Sequence, residues 1–386
     1  MSERPRAAFT AADHDVAERY LSQVLAWAEE REDRDLVVRA KARKGSVLLD
    51  RGQTDGAIAL LEEVLGGRSD LDADPALVEV AERLATAHMM KGQHAQATEW
   101  ANRTLAAAER RDLLPIITDA LTIKAVAAYK AGRWREAEAL LAGVLTLFEG
   151  SGLPRQQTRA LINQSAVLAV IHPRQALESA KRGLELARRM GLRDQEIVLA
   201  GNACEVAIPR GDWEWARETL ARLLDADMPE GLEIQIGSFD AMLAAPRGQQ
   251  AYAGEKLRRL RSIAESLTSP EDKSTVTAAE AFVSLAGGEL DNAFAKGMLA
   301  AAEDPAGSYY FPRVPTAGRA ALWLRDAQRV AAAVKHLAEA HVHGAWLDAV
   351  RLGPRSRTRC SRGTNGGGGH ALRPGDPGAA RPRRAL

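Results

Sequence analysis

The sequence predicts an all-α protein in which about eight helical hairpins stack into an elongated solenoid. Three observations predict this fold: a composition that favours helix, a repeat of about 40 residues, and a small residue at a fixed distance before each repeat alanine. The chain has 386 residues, more than a single hydrophobic core usually holds. Hydrophobic residues make up 46% of it but aromatic residues only 5%, and alanine and leucine dominate, which favours helices over sheets.

The repeat consists of a turn residue followed five positions later by an alanine. Six copies have glycine as the turn residue, and they end at Ala57, Ala97, Ala137, Ala216, Ala253 and Ala293. Two degenerate copies end at Ala176 and Ala331. Successive alanines are therefore 40, 40, 39, 40, 37, 40 and 38 residues apart. A period of this length indicates a repeat architecture, in which each unit is one supersecondary structure.

Each unit is interpreted as two antiparallel helices, A and B, joined at the turn residue. Glycine at the turn allows a left-handed conformation that ends helix A, and helix B begins after it. In the third unit, helix B shows apolar residues at helical spacing, namely Ala137, Leu140, Leu141, Val144, Leu145 and Phe148. Helix B therefore has one face that packs in the stack and one charged face.

A small residue precedes each alanine, which supports the hairpin interpretation because antiparallel helices approach closely only where the side chain is small. Twelve positions before the alanines lie Gly45, Ala85, Ala125, Cys204, Ala241 and Ala281. In the unit that ends at Ala176, the turn is one residue shorter and the equivalent residue is Ser165. In the last unit this position is Arg319, the single exception.

This double pattern resembles the tetratricopeptide repeat, which has a small residue on helix A, a glycine turn and an alanine on helix B at these offsets. The resemblance covers residues 35–345 and implies a right-handed tetratricopeptide-like solenoid, although the repeat is longer than the ~34 residues typical of that family. Segments such as AVAAYKAGRWREAEALLAGVLTLFE are also similar to the C-terminal repeats of bacterial signal-transduction ATPases, including LuxR-type regulators and class III adenylate/guanylate cyclases. In those proteins the repeats follow an ATPase, but this sequence contains no phosphate-binding loop.

The helix A faces of such a stack line a continuous concave surface, which is the predicted partner-binding groove. Counting from the small residues, we expect the groove to contain Arg39, Arg43, Glu79, Glu82, Thr86, Met89, Asp119, Thr122, Tyr129, Arg159, Asn163, Asn202, Glu205, Gln235 and Met242. Asn163 and Asn202 lie where tetratricopeptide families often present asparagine to a bound peptide's backbone. The alternative is that both asparagines cap or bridge neighbouring helices inside the stack.

The two ends differ from the repeats. Residues 1–34 are expected to form an N-terminal helix that caps the stack, and residues 35–350 the solenoid. Residues 351–386 are rich in Arg, Gly and Pro, and we expect them to be disordered. One hypothesis is that this tail is a frameshifted reading of a longer repeat array. The tail carries nine Arg and one acidic residue, whereas residues 1–350 carry 43 basic and 50 acidic residues. Nucleic-acid binding is therefore expected only through the tail, and we consider it unfavoured as the main function.

The sequence shows no constellation of catalytic, cofactor-binding or metal-binding residues, so we expect a protein that is not an enzyme. Cys204 lies at a small-residue position and is expected to be buried and unreactive. His336, His341 and His343 are five and two positions apart, which does not fit one metal ion on a regular helix. With two cysteines and no apolar export signal or membrane span, a cytoplasmic location is predicted.

Two functions are therefore considered from the sequence. The first is a scaffold or regulatory sensor whose groove binds a peptide or helix of a protein partner. The second is a detached ligand-sensing repeat arm of an ATPase-type or cyclase-type regulator.

Overall fold

The structure is a computed structural model, and it describes residues 11–339 except 52, 67–70, 72–73, 149, 225–227, 229, 268 and 305–311. The described residues form seventeen α-helices and one short 3₁₀ turn, Ala245–Arg247. The helices are α1 (Ala11–Glu30), α2 (Arg34–Asp50), α3 (Thr54–Leu65), α4 (Pro75–Met90), α5 (His94–Glu109), α6 (Leu114–Lys130), α7 (Trp134–Leu147), α8 (Pro154–Ile171), α9 (Pro173–Met190), α10 (Arg193–Arg210), α11 (Trp213–Ala221), α12 (Glu230–Ala244), α13 (Gln250–Ser266), α14 (Pro270–Ala286), α15 (Leu290–Glu303), α16 (Val314–Leu324) and α17 (Ala327–Glu339).

From α2 onward the helices pair into eight consecutive hairpins, each with an even-numbered helix A and an odd-numbered helix B. Each helix A also packs against the helix A of the next hairpin, and each helix B packs against that same next helix A. Helix α1 precedes the array and packs on α2. The predicted all-α solenoid of about eight hairpins is thereby confirmed, and α1 occupies the segment predicted to be an N-terminal helix.

The turns between helices A and B lie where the glycines predict them. Five of these glycines, Gly92, Gly132, Gly211, Gly248 and Gly288, have φ between 75° and 87°. Residues that carry a side chain rarely adopt this left-handed backbone conformation, which explains why glycine recurs at the turn. Gly52, the first turn glycine, lies outside the described residues.

The seven small residues predicted at the helix crossings are all buried. Ala85, Ala125, Cys204, Ala241 and Ala281 are each 0% exposed, and Ser165 is 1% exposed. At Gly45, a Cβ atom would lie 2.8 Å from Cδ2 of Leu61 on helix B, closer than real Cβ contacts allow. The two helices of this hairpin can therefore approach only because residue 45 has no side chain.

The last hairpin corrects the predicted register by one residue. Its turn residue is Arg325, with φ of 58°, and the residue five positions later is Val330, which is 3% exposed. Ala331, the predicted packing residue, is exposed. The residue twelve positions before Val330 is Gly318, which is buried, whereas Arg319 is exposed. With this register, the small residue is present in all eight hairpins and the predicted exception disappears.

The residues of the tail, 351–386, lie outside the described part of the chain, so the predictions of disorder and of a frameshift remain predictions. Among the described helices, none combines the length and apolar character needed to cross a membrane.

Candidate partner-binding surface

The even-numbered helices present a continuous face, which we call the A-helix wall, made of residues six, three or two before and one or four after each crossing residue. All fifteen residues predicted to form the groove lie on α2, α4, α6, α8, α10 or α12. Because each of these helices packs on the next, the wall continues from one hairpin to its neighbour. The residues differ in how much surface they offer.

Ion pairs connect neighbouring helices in the first half of the wall. Arg43 on α2 lies 3.8 Å from Glu79 on α4, and their side chains are 68% and 38% exposed. Arg159 on α8 lies 3.3 Å from Asp119 on α6, with side chains 38% and 15% exposed. Arg39 is also exposed. An exposed pair such as Arg43 and Glu79 adds little stability, and both of its charges are accessible to a partner, whereas Asp119 is largely covered.

Glu82 lies behind this charged row, since its side chain is only 2% exposed. It accepts a hydrogen bond from Thr86 Oγ1 at 2.9 Å, and Arg83 Nε is 3.2 Å from its carboxylate. Burial raises the pKa of Glu82, and nearby Asp119 raises it further, whereas Arg83 and Arg159 lower it. Glu82 was expected at the surface, but its position at the contact between helices makes it part of the packing.

Thr122 and Met242 were also expected in the groove, yet they are 7% and 2% exposed. Thr122 donates a hydrogen bond from Oγ1 to the Thr118 carbonyl one turn earlier, which satisfies its hydroxyl inside the stack. Neighbouring helices therefore cover some positions that the register alone places on the wall. Thr86, Met89, Tyr129 and Gln235 retain partial exposure.

The two asparagines use their amide N–H groups within the stack. Asn163 donates to the Arg159 carbonyl on its own helix at 3.0 Å. Asn202 on α10 donates to the Ile162 carbonyl at 3.1 Å and to Ser165 Oγ at 3.0 Å, both on α8. The geometry of Asn202 favours the alternative interpretation, in which the side chain bridges neighbouring helices.

Gly201 makes room for the wall residue Gln235, although the sequence did not single out Gly201 itself. A Cβ atom at Gly201 would lie 2.5 Å from Oε1 of Gln235. Gln235 of α12 can therefore lie across the backbone of α10 only because residue 201 is glycine. Gly201 lies three positions before the crossing residue, and this offset is the signal that identifies it as part of the wall.

A second charged group lies toward the C-terminal half, and of its members only Glu205 was predicted for the groove. Arg313, 8% exposed, donates from Nε to Ser274 Oγ at 2.7 Å, and its Nη2 lies 3.1 Å from Asp304 Oδ2. Burial raises the pKa of Glu205 to about 7; the charge of Arg313 lowers it, and Glu271 raises it. The sequence could not show this group because its members come from hairpins five, seven and eight.

Glu205 predicts a pH dependence of stability. Because its pKa is raised from an ordinary value of 4.5, ionisation costs more in the folded than in the unfolded state, and stability falls as the pH rises toward about 7. We expect the melting temperature of the protein to fall between about pH 5 and about pH 8, by roughly 2–4 °C more than that of Glu205→Gln. Thermal unfolding at the two pH values measures this difference, and parallel curves would contradict it.

The only cysteine among the described residues, Cys204, is buried, and burial raises the pKa of its thiol to about 12. Its Sγ lies 4.0 Å from the Ala216 carbonyl oxygen across the hairpin. This confirms the prediction of a buried packing residue, and the raised pKa is that expected of an unreactive thiol. Within the described ranges, no three His, Cys, Asp or Glu residues are grouped so that they could hold a metal ion.

The fold is that of a tetratricopeptide-like helical solenoid. A Rap protein complexed with competence and sporulation factor has 13% sequence identity and a TM-score of 0.59, over 90% of this chain and 100% of that one. The apo form of RapI has 10% identity and a TM-score of 0.53, over 90% and 98% of the two chains. A tetratricopeptide repeat protein from Parabacteroides merdae has 13% identity and a TM-score of 0.45, over 69% and 93%. No protein-family model and no curated protein matches the sequence.

Proposed function

We propose that the protein is a non-catalytic scaffold or regulatory sensor that binds a protein partner, as a peptide or a helix, along its A-helix wall. The observation that carries this proposal is the wall itself, a preformed face that runs through adjoining helices and offers exposed charges. Similarity to the Rap protein, which was solved with competence and sporulation factor bound, supports the choice of a binding function. Stacked repeats commonly use such a surface for recognition.

The exposed ion pair between α2 and α4 gives the sharpest test. The double variant Arg43→Glu and Glu79→Arg exchanges the two charges of this pair. It keeps the net charge of the protein and still places opposite charges next to each other. A partner whose charges are complementary to the wall would then face like charges at these two positions. We therefore expect its capture to fall at least about tenfold. Affinity purification of the full chain, with quantitative mass spectrometry, measures that capture.

A matched control exchanges two charges on a helix B. Glu178 and Arg182 are both exposed on α9, four residues apart, and the double variant Glu178→Arg and Arg182→Glu also keeps the net charge. We expect this control to capture partners as the unmodified protein does. Equal capture by both double variants and the unmodified chain would remove the proposal that this part of the wall is the binding surface.

The second candidate is a detached repeat arm of an ATPase-type or cyclase-type regulator, and it rests on the similarity of the repeat sequences to such proteins. The same purification distinguishes it from a general scaffold. A captured partner with a nucleotide-binding or cyclase domain, lost in the wall variant, would favour the repeat-arm function. Under both proposals, the protein acts in the cytoplasm.

A further inference from the structure

Helix α1 has two apolar faces, of which α2 covers one. Ala28 is fully buried on the covered side, and Glu18 of α1 lies 2.7 Å from Arg51 at the end of α2. Beside this covered side, and adjoining it at Val24, four large apolar residues are exposed. They are Val16 at 40%, Tyr20 at 65%, Val24 at 37% and Trp27 at 47%.

These four residues form one stripe, because spacings of four, four and three positions return to the same side of a helix. Arg31 continues the stripe by one turn, and its guanidinium lies 4.1 Å from the centre of the Trp27 ring. Single exposed apolar residues are common on protein surfaces, but a continuous stripe with two aromatic residues is characteristic of an interaction site.

We propose that this stripe is a dimer interface, in which α1 packs antiparallel against α1 of a second copy of the chain. A two-fold axis beside Val24 would bring the two Val24 side chains together, and each Tyr20 would face Trp27 of the other copy. Such a self-complementary arrangement is the usual way in which identical chains form closed dimers.

The charges beside the stripe fit this antiparallel arrangement. Arg19 and Glu30 lie on the same flank of α1, near opposite ends of the stripe, and both are exposed. In an antiparallel pair, equivalent flanks meet, so Arg19 of one copy lies within about one helical turn of Glu30 of the other. In a parallel pair, each flank would instead meet the opposite flank of the other copy, so Arg19 and Glu30 would not face each other.

The area of the stripe sets the expected strength of association. An aromatic side chain offers roughly 150–250 Å² when fully covered, so these four exposed fractions amount to roughly 300–400 Å² of apolar surface per copy. Two such stripes bury roughly 600–800 Å² of apolar surface, less than the about 1,200 Å² at which specific stable interfaces begin. The polar flanks must supply the rest, and we expect a weak, reversible dimer with a Kd on the order of 10–100 µM.

Sedimentation of the full chain from about 1 µM to about 200 µM tests the proposal. We expect the average mass to rise from the monomer value of 41.6 kDa toward twice that value. The double variant Tyr20→Glu and Val24→Glu should raise the Kd at least about tenfold. The control Met190→Glu and Leu299→Glu places the same charge at two similarly exposed apolar residues, 48% each, and should leave the dimer intact.

Charge exchange tests the orientation, and it remains informative if glutamate in the stripe unfolds α1. Arg19→Glu or Glu30→Arg alone should weaken the dimer, and the two together should restore it. A monomer at every concentration would overturn the proposal, as would a dimer that the stripe variants leave unchanged. Failure to dimerise leaves the partner-binding function of the wall untouched, since the wall is on other helices.

Discussion

Replacing Ala125 with phenylalanine should lower the free energy of unfolding by about 3 kcal/mol, the upper end of the usual cost of overpacking a core. Ala125 is the crossing residue of the third hairpin, and it is 0% exposed between α6 and its neighbours. A phenyl ring at this position has no space unless α6 and α7 separate. Because each hairpin also packs on the next, this separation would disturb the adjoining interface as well.

The same substitution at Ala142 is the matched control. Ala142 belongs to α7, helix B of the same hairpin, and it is exposed. Ala142→Phe should therefore change stability by no more than about 1 kcal/mol, which is mainly the helix propensity of the new residue. Denaturant unfolding followed by circular dichroism, combined with hydrogen exchange of α6 and α7, compares the two variants. Equal losses of stability in the two variants would show that the crossing position does not require a small side chain.

The turns and crossings could be predicted from the sequence because each depends on a local property of one residue. A left-handed turn needs glycine, and a close helix crossing needs a residue with little or no side chain, so both leave a mark at a fixed spacing. The glycine pattern is absent from the last hairpin, where Arg325 adopts the left-handed conformation at the turn. A run of alanines follows Val330, and therefore alanine alone could not identify the packing residue.

The candidate site was less predictable, because side-chain partners depend on distances between hairpins. The offset from the crossing residue correctly places Arg43 and Glu79 on the surface of the wall. The same rule places Glu82 there, although neighbouring helices bury it. Asn202 has the same offset as Asn163 but bonds across to α8, and no pattern within one repeat distinguishes the two. Arg313 and Ser274 meet from different hairpins, which only the folded chain shows.

The last hairpin also provides the second large effect, because two registers predict opposite results there. In the structure, Gly318 is the buried crossing residue and Arg319 is exposed. A Cβ atom at Gly318 would lie 3.7 Å from the Cβ of Ala333, an ordinary contact, so Gly318→Ala should be tolerated or stabilise the helix by about 0.5–1 kcal/mol. A leucine there would exceed the space, and Gly318→Leu should cost about 2 kcal/mol despite its better helix propensity.

Hydrogen exchange of α16 and α17 in Gly318→Leu and Arg319→Leu is the most direct test of the claim that each hairpin closes on a small residue. Terminal repeats can unfold separately from the rest of an array, so the exchange of these two helices reports their own stability. We predict faster exchange in Gly318→Leu and unchanged exchange in Arg319→Leu. Loss of protection in Arg319→Leu with none in Gly318→Leu would contradict the structure's register and the rule drawn from it.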